Sequence, residues 1–352
     1  MFLSGLSTAT PPRRYTKADC WDAFTRSAWF ERLEPRARFV VQAVLGRDNG
    51  IEARRLAIDS LDEVFAIDPD TLQARFTRHA PALGTEAAAG ALADAGIDAS
   101  SIGAVVVSTC TGYLCPALSG YLVERLGLPA HVQCFDLVGQ GCAAALPNWQ
   151  LADALIASGR HDHVLSVCVE VCSAAMYLDN DPGVLISACL FGDGAGAAVL
   201  SREAPADRRR VRWAASASVM DPGEREALRF EHRAGLLRNI LTRAVPRLAA
   251  EHAHALMRDV LGRAGRDPAE VAAWIVHAGG RDVLAAVRER FALPEPALAH
   301  SAAMLREYGN LSSAFVYFVL QEALRAQAPG GAWWMTSFGA GFACHGALLE
   351  VE

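Results

Sequence analysis

Short, continuous apolar runs alternate with stretches of helical spacing along this chain of 352 residues. Ile102–Val107 (IGAVVV), His163–Val169 (HVLSVCV), Val271–Val276 (VAAWIV) and Ala332–Phe338 (AWWMTSF) read as strands buried on both faces. Gln150, Leu151, Leu155 and Ile156 fall at helical spacing and predict a helix ending near Gly159; a second helix is predicted to end near Ala328. Strands without a polar face imply a central, largely parallel sheet covered by helices, an α/β class.

The pattern repeats. Ala95-Gly96-Ile97-Asp98 followed by Ile102–Val107 aligns with Ala264-Gly265-Arg266-Asp267 followed by Val271–Val276, at an offset of 169. Each copy leads through a helix to another buried strand, so two β-α-β units of the same order follow one another. A pseudo-twofold axis then brings the two helix starts face to face. The polar, Arg-rich connection Ser201–Arg212 (SREAPADRRRVR) separates the copies and predicts halves at 1–205 and 206–352.

Composition narrows the setting. Hydrophobic residues make up 52% and charged residues only 20%, which points to surface hidden between layers or subunits. A net charge of −6 argues against nucleic acid as a partner. No apolar stretch is long enough to cross a bilayer, and the N-terminus lacks the charged-then-apolar order of a signal peptide. Nine cysteines, an odd number set mostly in strand-like runs, fit reduced thiols in a cytoplasmic protein. They form no CxxC pair and no histidine cluster accompanies them, so no metal site is predicted.

Three stretches carry chemistry. Gly139–Leu146 (GQGCAAAL) sets Cys142 among small residues where a helix begins, a position whose dipole favours the thiolate. Trp274–Gly280 (WIVHAGG) puts His277 at the end of a buried strand, and Tyr308–Ser313 (YGNLSS) puts Asn310 at a predicted helix N-terminus. Taken singly, each has a structural explanation; together they occupy equivalent ends of repeated elements. A thiolate splits a condensation into two easier steps, an imidazole can pair with it, and fixed N–H donors can stabilise an enolate oxygen.

These motifs, with Phe191–Leu200 (FGDGAGAAVL) and Ser337–Phe342 (SFGAGF), resemble the type III polyketide synthases, the chalcone/stilbene synthase-like branch of the thiolase superfamily. The bacterial phenolic-lipid (alkylresorcinol or alkylpyrone) synthases look most similar. The resemblance implies a thiolase-like fold of duplicated αβαβα halves with mixed central sheets, assembled as a homodimer. It implies catalytic roles for Cys142, His277 and Asn310, and no cofactor beyond coenzyme A thioesters as substrates. The starter would arrive on coenzyme A or an acyl carrier protein, grow with malonyl-CoA by decarboxylative Claisen steps, and cyclise to an alkylresorcinol or alkylpyrone. Two alternatives stay open: a malonyl-only synthase of the tetrahydroxynaphthalene type, and a single-condensation 3-oxoacyl-carrier-protein synthase III.

By the same resemblance Cys110, Thr111, Met176, Tyr177, Phe191, Gly339 and Gly341 line the substrate pocket, with Met176 where plant enzymes keep an aromatic. Cys115 lies in the segment that reaches across the dimer interface. Arg36 and Arg38 are expected to meet the coenzyme A phosphates, with Arg54 and Arg55 further on. Ala340 stands where plant members have proline.

Overall fold

The buried strands pair into two half-sheets of matching order. In the computed structural model, which describes residues 1–352, the first half runs β5 (Gln133–Leu137), β4 (Ala104–Ser108), β6 (His163–Glu170), β7 (Gly194–Ser201), β1 (Phe2–Ala9). The second runs β11 (Val271–Val276), β12 (Gly331–Gly339), β13 (Ala343–Val351), β8 (Val211–Met220). β4 is parallel to both β5 and β6, and β11 to β12, while β1, β7, β8 and β13 make the antiparallel pairings. Matching β4 with β11, β6 with β12, β7 with β13 and β1 with β8 reproduces the repeat seen in the sequence. One residue pair, Phe2 with Arg212, joins the halves into a nine-stranded sheet. The predicted division at 205 falls in the connection between β7 and β8.

Two central helices pack between the half-sheets: α6 (Ala145–Ala157) and α11 (Phe315–Arg325) each touch strands of both. Phe315 to Leu320 is buried without a break, as a helix with sheet on both sides requires. Trp149 Nε1 donates to Tyr317 Oη at 3.1 Å, tying the two helices together. The outer layers are α4 (Pro69–Ala95) on β1 and β7, and α8 (Val245–Arg263) on β13 and β8. The result is the five-layered αβαβα arrangement. Its largest core cluster, 59 residues, takes in both central helices and strands of both halves, so the halves share one interior.

The remaining elements flank these layers. α5 (Leu118–Leu126) lies beside α4, α9 (Arg281–Arg290) beside α8, and α10 (Ala299–Tyr308) beside α11. Four helices form a cap: α1 (Lys17–Arg26), α2 (Ala28–Arg32), α3 (Pro35–Gly46) and α7 (Pro182–Leu190). Two small sheets complete it, β2 (Arg14–Thr16) with β3 (Ala53–Arg55), and β9 (Leu228–Arg233) with β10 (Leu236–Leu241). The β9–β10 hairpin turns through Ala234 and Gly235, both at positive φ, the requirement of a tight two-residue hairpin. No helix is long and apolar enough to cross a membrane.

The ends of the repeated helices differ from expectation. Cys142 sits in a 3-10 turn, Gly141–Ala143, and α6 begins only at Ala145. Asn310 is not a helix cap: a second 3-10 turn, Ser312–Ala314, intervenes before α11. Both trio residues therefore stand on turns held by tertiary contacts, which the local pattern does not show.

Candidate active site

The Cys142 turn is built between the two halves. Ser337 Oγ of β12 donates to Ala143 O at 2.9 Å. Gly339 passes so close that a Cβ there would stand 2.5 Å from Gln140 O and 2.8 Å from Ala143 N. Gly339 thus serves this close approach and lines none of the larger cavities, contrary to the expectation of a substrate contact. Gly341 does line one, at φ +126, where a side chain is disfavoured.

His277 follows β11 and is 1% exposed. Its backbone N–H donates to Thr336 O at 3.0 Å, and its ring lies edge-on to Phe315 and Phe338. Nδ1 is buried without a partner. The tautomer with its proton on Nε2 leaves only a lone pair unpaired there, which costs less than an orphaned N–H. Burial also pulls the imidazole down to about 3, so the ring is neutral at ordinary pH.

Asn310 is fixed at both ends of its peptide: its N–H donates to Leu190 O at 2.9 Å and its carbonyl accepts from Gly192 N at 3.0 Å. The side chain is oriented as well. Oδ1 accepts from Ser312 N at 2.8 Å, and Nδ2 donates to Gly279 O at 3.3 Å.

Cys142, His277 and Asn310 line one cavity of about 620 Å³. It runs from the buried His277 and Asn310 and the half-buried Cys142 to the exposed Arg47, Arg243 and Arg281. Phe191 and Asn239 separate it from an inner pocket of about 40 Å³, lined also by Cys110, Thr111, Met176, Tyr177 and Ser312. Beyond Cys110, Thr111 and Phe230 opens a second cavity of about 650 Å³. Of the expected pocket residues, all but Gly339 face one of these spaces.

The thiol is not in the state the helix start implied. Burial pushes Cys142 up to about 12, and the charge of nearby Glu170 adds to the effect. Neither ring nitrogen of His277 is within hydrogen-bonding range of it; its polar contact is Ser312 Oγ at 3.3 Å. Desolvation of a thiolate here outweighs the field of a one-turn 3-10 segment. No hydrogen bond joins the thiol to the imidazole in this arrangement, and burial favours the neutral form of each.

Arg36 and Arg38 line none of these spaces. Arg36 is exposed near the start of α3. Arg38 Nε donates to Leu33 O at 2.9 Å, a second guanidinium nitrogen donates to Glu31 O at 2.6 Å, and the group lies over the Phe30 ring. Arg54 is turned inward onto Ala188 O and Phe191 O, and Arg55 onto Glu307. The cavity instead meets the last turn of α3 and the loop after it, at Ala43, Val44 and Arg47. Ser312 Oγ, 3.3 Å from Cys142 Sγ, and Glu170, 3.3 Å from the same hydroxyl, were not among the expected residues. A carboxylate ending an otherwise apolar strand, and a second hydroxyl in YGNLSS, were the available signals.

Comparison with known proteins gives the same picture. Residues 52–222 match the family model for FAE1/type III polyketide synthase-like proteins, and residues 216–350 that for the C-terminal domain of chalcone and stilbene synthases. A 1,3,6,8-tetrahydroxynaphthalene synthase of Streptomyces peucetius subsp. caesius is 31% identical over 353 residues, covering 99% of this chain and 92% of that protein. The alpha-pyrone synthesis polyketide synthase-like Pks18 of Mycobacterium tuberculosis is 26% identical over 365 residues, covering 99% and 91%. The crystal structure of PKS-I from the brown alga Ectocarpus siliculosus superposes with a TM-score of 0.91 at 24% identity, over 99% of this chain and 97% of that one. With its fold, its converging Cys, His and Asn and these matches along its length, the chain belongs to the type III polyketide synthase family.

Proposed function

We propose that the chain holds a starter as a thioester on Cys142, extends it with malonyl units and cyclises the product in the spaces around Phe191. The Cys142 sulfur attacks the starter carbonyl and coenzyme A leaves as its thiol. Malonyl-CoA then enters the 620 Å³ cavity. His277 Nε2–H and Asn310 Nδ2–H share its thioester oxygen, so that the enolate formed as carbon dioxide leaves is stabilised by fixed donors. That carbanion attacks the Cys142 thioester and the sulfur is released. Arg47, Arg243 and Arg281, exposed around the cavity, suit the phosphates of coenzyme A.

The observation that carries the product class is the size of the inner pocket. About 40 Å³ holds roughly three waters at ~10–15 Å³ each, which leaves no room inside this pocket for a long alkyl chain. The adjoining 650 Å³ cavity mixes Thr109, Thr111, Arg229 and His232 with Leu72, Phe76, Phe230 and Leu236, so it offers polar partners to a chain rich in carbonyls beside an apolar wall. This supports a compact product built from malonyl units alone over the alkylresorcinol or alkylpyrone. One observation favours the alkyl reading: a second apolar pocket of about 40 Å³ lies behind Met176 and shares Leu56, Met176 and Ala188 with the first.

Incubation of the enzyme with malonyl-CoA, alone and with a ladder of acyl-CoA starters, tests the reading by product mass. Malonyl-CoA alone should give the main product, and starters beyond a few carbons should fail. Alkylated products from the native enzyme would overturn this, and one condensation in every case would indicate a 3-oxoacyl synthase instead. Met176→Ala joins the two apolar pockets and should extend the ladder by several carbons, since a wall rejects more sharply than an added methylene attracts.

The nine unpaired cysteines suit a reducing compartment, in line with a cytoplasmic enzyme. Tyr113 at 72% and Val138 at 71% exposure stand near the free edge of β5, and they support a homodimer through this face. Light scattering should give a dimer for the native chain and a monomer for Tyr113→Asp combined with Val138→Asp; a native monomer would remove the assignment.

A further inference from the structure

Phe191 and Asn239 are the two residues common to the cavity that holds Cys142 and the inner pocket beyond it. A chain that grows from Cys142 into the inner pocket therefore passes between a phenyl ring and an amide. Asn239 lies on β10 and is 8% exposed. Its Oδ1 accepts from Ser187 Oγ of α7 at 2.9 Å, and this buried hydrogen bond decides which end of the amide faces the helix. Nδ2 is neither bonded within the protein nor sealed away from the cavities. Two N–H donors are thus free at the neck.

The amide is held firmly. Asn239 pairs with Phe230 across the β9–β10 hairpin. The preceding Arg238 anchors that hairpin, donating from Nε to Asp179 at 3.0 Å and from Nη1 to Glu231 at 3.0 Å. Hydroxyls of the inner pocket are already engaged: Thr111 Oγ1 donates to Glu170 and Ser173 Oγ to Asp193. Leu56, Met176, Val184 and Ala188 make the surroundings apolar. An N–H in such a place is unfavourable until something accepts from it.

We infer that Asn239 selects the chain by its chemistry: Nδ2–H donates to a keto carbonyl at the neck, which admits a poly-β-keto chain and disfavours an alkyl one. A chain grown from malonyl units carries a carbonyl on every second carbon. Each extension therefore brings a new acceptor to the same donor. An alkyl chain has no acceptor; it expels water from the neck and leaves Nδ2 unpaired beside Phe191. The inference rests on Cys142 as the point of chain growth and deepens the product reading above. Pocket volume limits length, and Asn239 reads what the chain is made of. It touches the chain away from the reacting carbons, so it is a specificity-determining residue.

A competition separates this selection from mere damage. The native enzyme and its variants receive malonyl-CoA and butanoyl-CoA at equal concentration, and products are counted by mass as malonyl-only or butanoyl-bearing. Asn239→Leu keeps the volume and removes both donors. The ratio of butanoyl-bearing to malonyl-only product should rise roughly tenfold or more, since the keto chain loses a hydrogen bond and the alkyl chain no longer strands a donor. Loss of structure lowers both products and leaves their ratio where it was.

Asn239→Leu also leaves the Ser187 hydroxyl without its acceptor. The double variant Ser187→Ala with Asn239→Leu removes both partners, so it should melt close to native and keep the altered ratio. If the single variant fails to fold, the double variant decides. A native enzyme that favours the butanoyl-bearing product, or an unchanged ratio in the folded double variant, overturns the selection by Asn239. The reading beneath it is checked apart, on the native enzyme exposed to butanoyl-CoA alone. A butanoyl group found on the peptide of a cysteine other than Cys142 overturns chain growth from Cys142 itself.

Discussion

Cys142→Ala should abolish both acyl-enzyme and product while leaving the protein folded. The turn that carries it is held by main-chain contacts, Ser337 Oγ to Ala143 O and the close passage of Gly339, and none involves the sulfur. Removing one atom from a partly exposed site should cost no more than about 1 kcal/mol of stability. Loss of a nucleophile, by contrast, removes the covalent route altogether, and a fall in turnover on the order of 10⁴-fold or more is expected. Protein mass after incubation with malonyl-CoA, together with a thermal melt, checks both halves of the statement. A variant that still gained acyl mass would name another thiol. Cys110, 3.3 Å from the same Ser312 hydroxyl, is the first to examine.

His277→Ala and Asn310→Ala should each lower malonyl-CoA decarboxylation on the order of a hundredfold, the effect of losing one donor to a developing oxyanion. The two should differ in loading. His277 makes no hydrogen bond to Cys142, so its variant should still acquire the starter at close to the native rate. Asn310→Ala also releases the Ser312 N–H from its 2.8 Å partner, so loading should slow as well. The decarboxylation step should show no break near pH 6.5. The imidazole is neutral everywhere above about 3 and donates throughout, whereas an ordinary histidine would change state in the middle of the range. Carbon dioxide release measured apart from acyl loading separates these outcomes; native decarboxylation in Asn310→Ala would remove its assigned role.

Much of the fold was legible because strands buried on both faces leave continuous apolar runs. The expected largely parallel sheet is nevertheless mixed: only β4–β5, β4–β6 and β11–β12 pair in parallel, because β1, β7 and β13 are buried on both faces as well while running antiparallel. Val271–Val276 is the strand β11 residue for residue, and His163–Val169 and Ala332–Phe338 fall one residue short of β6 and β12 or less at each end. The repeat at an offset of 169 is the pseudo-symmetry of the two half-sheets, and it placed Cys142 and Asn310 at equivalent points. What the pattern could not show was how each point is held. A helix start and a 3-10 turn before a helix look alike in sequence, since both need small or capping residues ahead of an apolar run. That Arg36 and Arg38 lie off the cavity was hidden for a related reason. Basic residues along and just after α3 are equivalent by composition, and only the direction in which the helix end faces puts Arg47 at the cavity.

The repeat of β-α-β units and the candidacy of Cys142, His277 and Asn310 came from the sequence itself, because they follow from residue types at fixed spacing. The protonation states at the site were decided only by the tertiary structure. Burial of His277 between two phenylalanines, and of Cys142 beside Glu170, depends on side chains brought together from positions 142, 170, 277 and 312. Desolvation acts through that assembled surrounding, and no local stretch contains it. The room for product was decided in the same way. Met176 reads as a flexible gate in sequence, yet its neighbours Leu56 and Ala188 come from distant segments and close the space to about 40 Å³ on either side. Pocket volume is the sum of such packing, and it is set where the chain folds back on itself.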